Sequence, residues 1–190
     1  MSIKKILLII LLCACTVGCA TQSGISRDDK AYTGSSPQEL YNTGNRYAKG
    51  IGVQRNYAKA VSYFQRAADG GNSNAQSSLG VRYMSGQGVP QNYEIAKSWF
   101  EKAAAQNNPY AENQLGYIYA AGKGVTQDFA TAISWYQKAS DHGLASAQYN
   151  LGLMYANGIG TSVNKEKAKH LFRLAAERGF TPAKKALSEM

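Results

Sequence analysis

Few side chains in this sequence can act as nucleophiles, bases or metal ligands, and their spacing decides what each could do. The three cysteines, Cys13, Cys15 and Cys19, all fall in the first nineteen of 190 residues. None remains in the body to build a disulfide framework, a zinc site or a thiol nucleophile. The two histidines, His142 and His170, belong to different stretches of the chain, with no cysteine and no clustered carboxylate near them in sequence. They are expected at surface or half-buried positions, and no metal is expected. Gly-x-Gly-Val occurs at Gly50, Gly86 and Gly122, with Gly158-Ile159-Gly160-Thr161 as a fourth variant. A phosphate cradle of that kind needs a glycine loop between a strand and a helix. Here each copy lies between two helical stretches, which makes it a structural turn. The Gly-x-Ser-x-Gly elbow of serine hydrolases does not occur. These residues point to a chain without catalysis and without a cofactor.

The elements that carry them are written four times. A shift of 36 residues superposes Gly44, Gly80, Gly116 and Gly152, and three residues on Tyr47, Tyr83, Tyr119 and Tyr155. The same shift superposes Ala60, Ala96, Ala132 and Ala168, then Ala67, Ala103, Ala139 and Ala175. Self-similarity at this period marks a repeat architecture. Each unit reads as helix–turn–helix, with units at 37–72, 73–108, 109–144 and 145–180. In the first helix a small residue, Leu, Gly and Tyr make one buried stripe, as in Ala75, Leu79, Gly80 and Tyr83. A glycine inside a helix costs about 1 kcal/mol relative to alanine, so four at one position imply the close approach of a neighbouring helix backbone. Asn56, Asn92, Asp128 and Asn164 are N-cap residues for the second helices. Gly71, Asn107, Gly143 and Gly179 are suited to closing them. Residues 181–190 begin a fifth first helix with Lys184, Lys185 and Glu189 on its outer side, a polar cap.

Composition agrees with a packed helical body. Hydrophobic residues make up 44% and charged residues only 17% of the chain, so wholesale disorder is excluded. The net charge is +9, but the first and last units are basic while the third is slightly acidic. A nucleic-acid binder would show one continuous basic stripe, and no nucleic-acid partner is expected.

The N-terminus reads as an address. Lys4 and Lys5 precede the apolar run Ile6–Leu12, and small residues end at Gly18 and Cys19. The run is well short of the ~20 residues that span a bilayer. Residues 1–18 are therefore expected to be a signal peptide. Residues 20–36, rich in Gly, Ser and other polar side chains, are expected to be a flexible tether. Thr16-Val17-Gly18-Cys19 resembles the lipobox of bacterial lipoproteins, in which cleavage precedes a cysteine that carries acyl chains. This resemblance makes Cys19 the expected lipid attachment site, with Cys15 as a second candidate. It implies a lipoprotein of the bacterial cell envelope. Ala20 after Cys19 implies the outer membrane, facing the periplasm or the cell surface.

The unit pattern A-x-x-x-L-G-x-x-Y-x-x-G-x-G-V, followed by a capped helix A-x-x-W-[FY]-x-K-A-A, resembles the Sel1-like repeats, relatives of the tetratricopeptide repeats. The resemblance implies an all-α fold: a right-handed α-solenoid of four repeats with a C-terminal capping helix, its first helices lining a concave face. By register with tetratricopeptide units, that face carries Tyr41, Ser77, Asn113 and Tyr149, then Asn45, Val81, Tyr117 and Leu153. Lys49, Asn74, Met84, Tyr110 and Asn157 flank them. Exposed Tyr, Asn and Met suit protein recognition. The function these features imply is a scaffold or adaptor that binds an envelope or secreted protein or peptide. An immunity-type protein that neutralises a secreted toxin is the alternative, and a cell-wall-active enzyme is the rival class.

Overall fold

The computed structural model describes residues 35–190; the signal peptide, Cys19 and most of the expected tether lie outside the described residues. Among the described residues there are nine helices and no strand. They are α1 (Pro37–Lys49), α2 (Tyr57–Asp69), α3 (Ser73–Ser85), α4 (Tyr93–Ala104), α5 (Pro109–Ala121), α6 (Phe129–Asp141), α7 (Ala145–Asn157), α8 (Lys165–Glu177) and α9 (Thr181–Ser188). Odd-numbered helices up to α7 are first helices and even-numbered ones are second helices. Each first helix packs most extensively on the second helix that follows it, and each second helix packs less extensively on the next first helix. First helices α3 and α5 also touch, more closely than any two second helices do. The first helices therefore lie on the inner side of the stack.

Local chemistry sets the helix boundaries. The side chains of Asn56, Asn92, Asp128 and Asn164 each accept from the backbone N–H three residues on, at 2.9–3.0 Å. Bonds from Thr131 hold the Asp128 carboxyl below its ordinary value. Ser36 and Glu39 close a reciprocal capping box at the start of α1, with Pro37 in the first turn. Gly71, Asn107, Gly143 and Gly179 all have positive φ, and Asn107 is the one non-glycine to do so among the described residues. That is the left-handed closure the sequence implies, with asparagine replacing glycine once.

The helix-interior glycines differ from expectation in one respect. What approaches them most closely is an aromatic ring, with a neighbouring backbone atom, the Ala60 carbonyl, next in line at Gly44. A Cβ built on Gly44 would stand 2.6 Å from the Phe64 ring, on Gly80 2.6 Å from Phe100, on Gly116 2.6 Å from Tyr136, and on Gly152 2.5 Å from Phe172. Each ring comes from the second helix of the same repeat. Phe64, Phe100 and Phe172 are at most 1% exposed, and full burial of such a side chain stabilises by about 1.5–3 kcal/mol. That exceeds the ~1 kcal/mol lost to glycine in a helix, so the exchange is favourable. Burial pushes the Tyr136 phenol up to about 12, with Tyr117 adding to the shift. This ring is a neutral packing element through the physiological range.

The second glycine of each turn serves the next contact. Gly88, with φ +81°, lies against the backbone of Tyr57 and Ala58, where a Cβ would come within 2.5 Å. Gly124 sits in the same way on Tyr93. The turn of one repeat thus rests on the start of the second helix of the repeat before it. α9 closes the series by burying Ala183 against Ala168, Phe172 and Ala175.

Gly116→Ala tests the ring contact. Alanine is the better helix former, yet overpacking against Tyr136 should lower stability by about 1–3 kcal/mol, read as a fall in melting temperature. Adding Tyr136→Leu should recover part of the loss. An unchanged melting temperature in the single variant would show that the ring yields freely.

Candidate functional site

The first helices bring unlike residues to one place. On α5, Tyr110, Gln114 and Tyr117 follow at i, i+4 and i+7, one stripe of the helix. Tyr110 is 64% and Tyr117 42% exposed, in a protein whose other aromatics are largely packed. Tyr110 and Gln114, together with Tyr41 of α1, with Asn74, Ser77, Ser78, Val81 and Arg82 of α3 and with Asn108, enclose an open cavity of about 340 Å³. A mesh of amides knits its floor. Asn108 caps α5 through Ala111 N–H at 3.1 Å and donates from Nδ2 to Asn74 Oδ1 at 3.0 Å. Arg82 supplies the one charge among these lining residues. Its guanidinium lies 5.2 Å over the Tyr57 ring, and one terminal nitrogen donates to Gln87 Oε1. Its Nε–H is buried and has no acceptor.

Of the eight groove positions read from the sequence, Tyr41, Ser77 and Val81 share this cavity. Tyr41 also tilts onto Phe64 at 5.9 Å, and Ser77 is buried. Asn45 is half-buried on α1, outside the cavity. Asn113 accepts from Asn150 Nδ2 at 3.0 Å and so ties α5 to α7. Tyr117 stays open beyond Gln114. Tyr149 and Leu153 are half-buried in the last repeat, with Tyr149 packed between Phe172 and Phe180 at 5.6 and 5.4 Å. Leu153 joins the same cluster. The structure thus brings three of the eight together and engages the C-terminal pair, Tyr149 and Leu153, beside α9. Of the flanking residues, Asn74 and Tyr110 line the cavity, and Met84 packs on the α4–α5 core. Lys49 and Asn157 are exposed.

Sequence reasoning did not single out Arg82, Asn108 or Gln114. Arg82 left a signal. Its register position holds Arg46 in the first unit but Ile118 and Met154, both buried, in the third and fourth. A cation at a position that later repeats bury is a local inconsistency, and such positions deserve a functional reading. Ser162-Val163-Asn164-Lys165 has serine–lysine spacing, but both residues are exposed at the turn where Asn164 caps α8.

The histidine reading needs one correction. A carboxylate does stand beside His142: Glu112, thirty positions earlier, is 2% exposed and its Oε2 is 2.8 Å from His142 Nδ1. The separation in sequence hid the pair. The corresponding positions hold Gln76 with Gln106, bonded at 2.8 Å in the second repeat, and Gln148 in the fourth, whose Oε1 is buried without a partner. In the second and third repeats a buried polar position thus latches the start of the first helix to the end of its own second helix, while the first repeat has Leu40 there and Gln148 bonds to the Ser140 carbonyl of α6. Among the described residues no three ligand-type side chains gather into a metal site. Replacing His142 by alanine leaves a buried carboxylate unpaired and should cost about 1–3 kcal/mol. The double variant Glu112→Gln, His142→Gln recreates the second repeat's pair and should melt near the unaltered protein. If the single and double variants melt alike, the latch contributes nothing.

The architecture and the repeat register define the class: a helical repeat scaffold. A model of the Sel1 repeat matches residues 40–72, 73–108, 109–144 and 145–180. The chain belongs to the Sel1 repeat family. The fold is similar to that of a Sel1 repeat protein from Oxalobacter formigenes, at 33% identity and a TM-score of 0.78 over 87% of this chain and 66% of that one. It is also similar to c5321, a protective antigen of uropathogenic Escherichia coli strains, at 34% identity and a TM-score of 0.78 over 85% of this chain and 34% of that one. A Sel1 repeat protein from Klebsiella pneumoniae shares the fold at 22% identity, with a TM-score of 0.56 over 84% and 80% of the two chains. The chain thus spans about two thirds of the Oxalobacter protein and about a third of the Escherichia one. No curated protein matches. Sel1 repeats are scaffolds suited to protein–protein interaction.

Proposed function

We propose that this chain is an exported, lipid-anchored adaptor that binds a protein or peptide partner along α1, α3 and α5 and does no chemistry on it. The observation that carries the reading is the stripe Tyr110, Gln114 and Tyr117 beside the amide-floored cavity. The repeat pattern asks for none of these three side chains, and two of them expose aromatic surface. Interface energy concentrates in a few aromatic anchors, each worth about 2 kcal/mol or more on truncation. An anchored module also meets its partner at raised local concentration, so modest intrinsic affinity suffices.

The experiment is a cross-linked pull-down from envelope extract. Tyr110→Ala with Tyr117→Ala should lose the main partner while melting normally, because neither ring is buried. Gln65→Ala with Gln137→Ala on the second helices, where each glutamine bonds only to the aspartate one turn on, should retain it. The reverse pattern places the partner on the outer side. The anchor is tested separately: Cys19→Ser should move the protein from the membrane to the soluble fraction. Retention of that variant, with release by Cys15→Ser, reassigns the acylated residue.

A further inference from the structure

The groove just described carries a sharper statement about its occupant, one that rests on the protein-binding reading. Helices α1, α3 and α5 contain only two carboxylates, and neither is free to face the cavity. Glu39 is tied back to the Ser36 N–H and hydroxyl at 2.8 and 3.0 Å, and Glu112 is buried against His142. Helix α3, which supplies most of the lining, has Arg82 as its single charged residue. The cavity is therefore a neutral amide and hydroxyl surface with one cation in its wall.

That cation is held but not satisfied. The Tyr57 face and Gln87 fix the plane of the guanidinium, while Nε–H is buried without an acceptor. A buried donor left unpaired costs about 1–3 kcal/mol, and a buried group of this kind calls for a partner that completes it. Asn74 and Gln114 add amide donors and acceptors from two neighbouring helices, while Asn108 is buried and committed to Ala111 and Asn74. Tyr41 and Tyr110 stand at the two ends of the lining set, on α1 and α5.

We propose that the cavity receives an extended peptide segment bearing an acidic side chain, whose carboxylate pairs with Arg82 while its main chain bonds to the Asn74 and Gln114 amides. A planar carboxylate matches the guanidinium fork and supplies the acceptor that Nε lacks. The carboxylate reaches Nε only when the guanidinium turns away from the Tyr57 ring and Gln87, which hold it in the unbound protein.

The test selects a phage-displayed library of random linear peptides on the full chain. Selected peptides should share an aspartate or glutamate at one fixed position. A selected peptide should bind Arg82→Gln and Arg82→Lys about tenfold or more weakly, the lysine failing because a point charge does not replace the fork. Amidating the peptide's acidic residue should cost the same on the unaltered protein and nothing further on Arg82→Gln. Because that arm uses the unaltered protein, it decides the matter even if an Arg82 variant folds poorly. Selected peptides without an acidic position, or with one that is indifferent to amidation, overturn the proposal. If such peptides still require Tyr110, the groove reading stands and only its acidic partner falls. Selection of no peptide, or binding only to an immobilised glycan array, sinks both.

Discussion

The contact between a helix-interior glycine and an aromatic ring holds each repeat together, and the remaining packing follows from it. Gly44, Gly80, Gly116 and Gly152 let Phe64, Phe100, Tyr136 and Phe172 lie where a methyl group would otherwise stand. The two helices of a repeat can then approach until the ring fills the space between them. That approach brings the alanines at 60, 96, 132 and 168 to zero exposure, and any larger residue there would hold the helices apart. Small residues on one side and a flat ring on the other are two halves of a single packing solution. Repetition follows, since each unit buries its second helix only when the next unit supplies a first helix to cover it.

Between repeats the constraint changes from apolar to polar. The turn glycines Gly88 and Gly124 rest on the start of the second helix of the preceding unit, where side-chain bulk would push the turn away. At the opposite end, buried Gln76 and Gln148 donate to the Ala68 and Ser140 carbonyls at the end of the preceding second helix, while Glu112 at the same register pairs with His142 of its own repeat. Buried polar groups of this kind fix register more than they add stability, because each must find its own partner. The fourth repeat shows the relaxation expected near a chain end. Gln148 Oε1 has no donor, the N-cap positions Leu144 and Phe180 carry no side-chain cap, and packing by Tyr149, Leu153 and Phe180 compensates.

The sequence made the architecture legible because the architecture is local and repeated. Asparagine caps, left-handed closers and the Leu-Gly step each act within a few residues, and fourfold recurrence removes ambiguity about register. What approaches the glycines was not legible, since a helical pattern shows that space is needed without showing what fills it. Pairing across thirty residues, as between Glu112 and His142, was equally hidden, because neither residue belongs to the repeated pattern. Of the groove positions given by register, Tyr41, Ser77 and Val81 line one open cavity. Register treated all four units as equivalent, though, and could not show that α9 would engage Tyr149 and Leu153.

This inequality among units bears on where recognition can occur. A solenoid with identical units would offer the same surface at every step and no reason to bind at one of them. Here the last repeat spends its inner aromatic residue Tyr149 on packing against Phe180 and its own second helix. The middle of the inner face, α3 and α5, is left with side chains that no packing requirement explains: Asn74, Arg82, Tyr110, Gln114 and Tyr117. At the register of Arg82 the two later repeats bury Ile118 and Met154 instead. Keeping a charge and exposed rings there opposes the hydrophobic preference of the fold. A bound partner that covers the rings and completes the arginine removes that opposition.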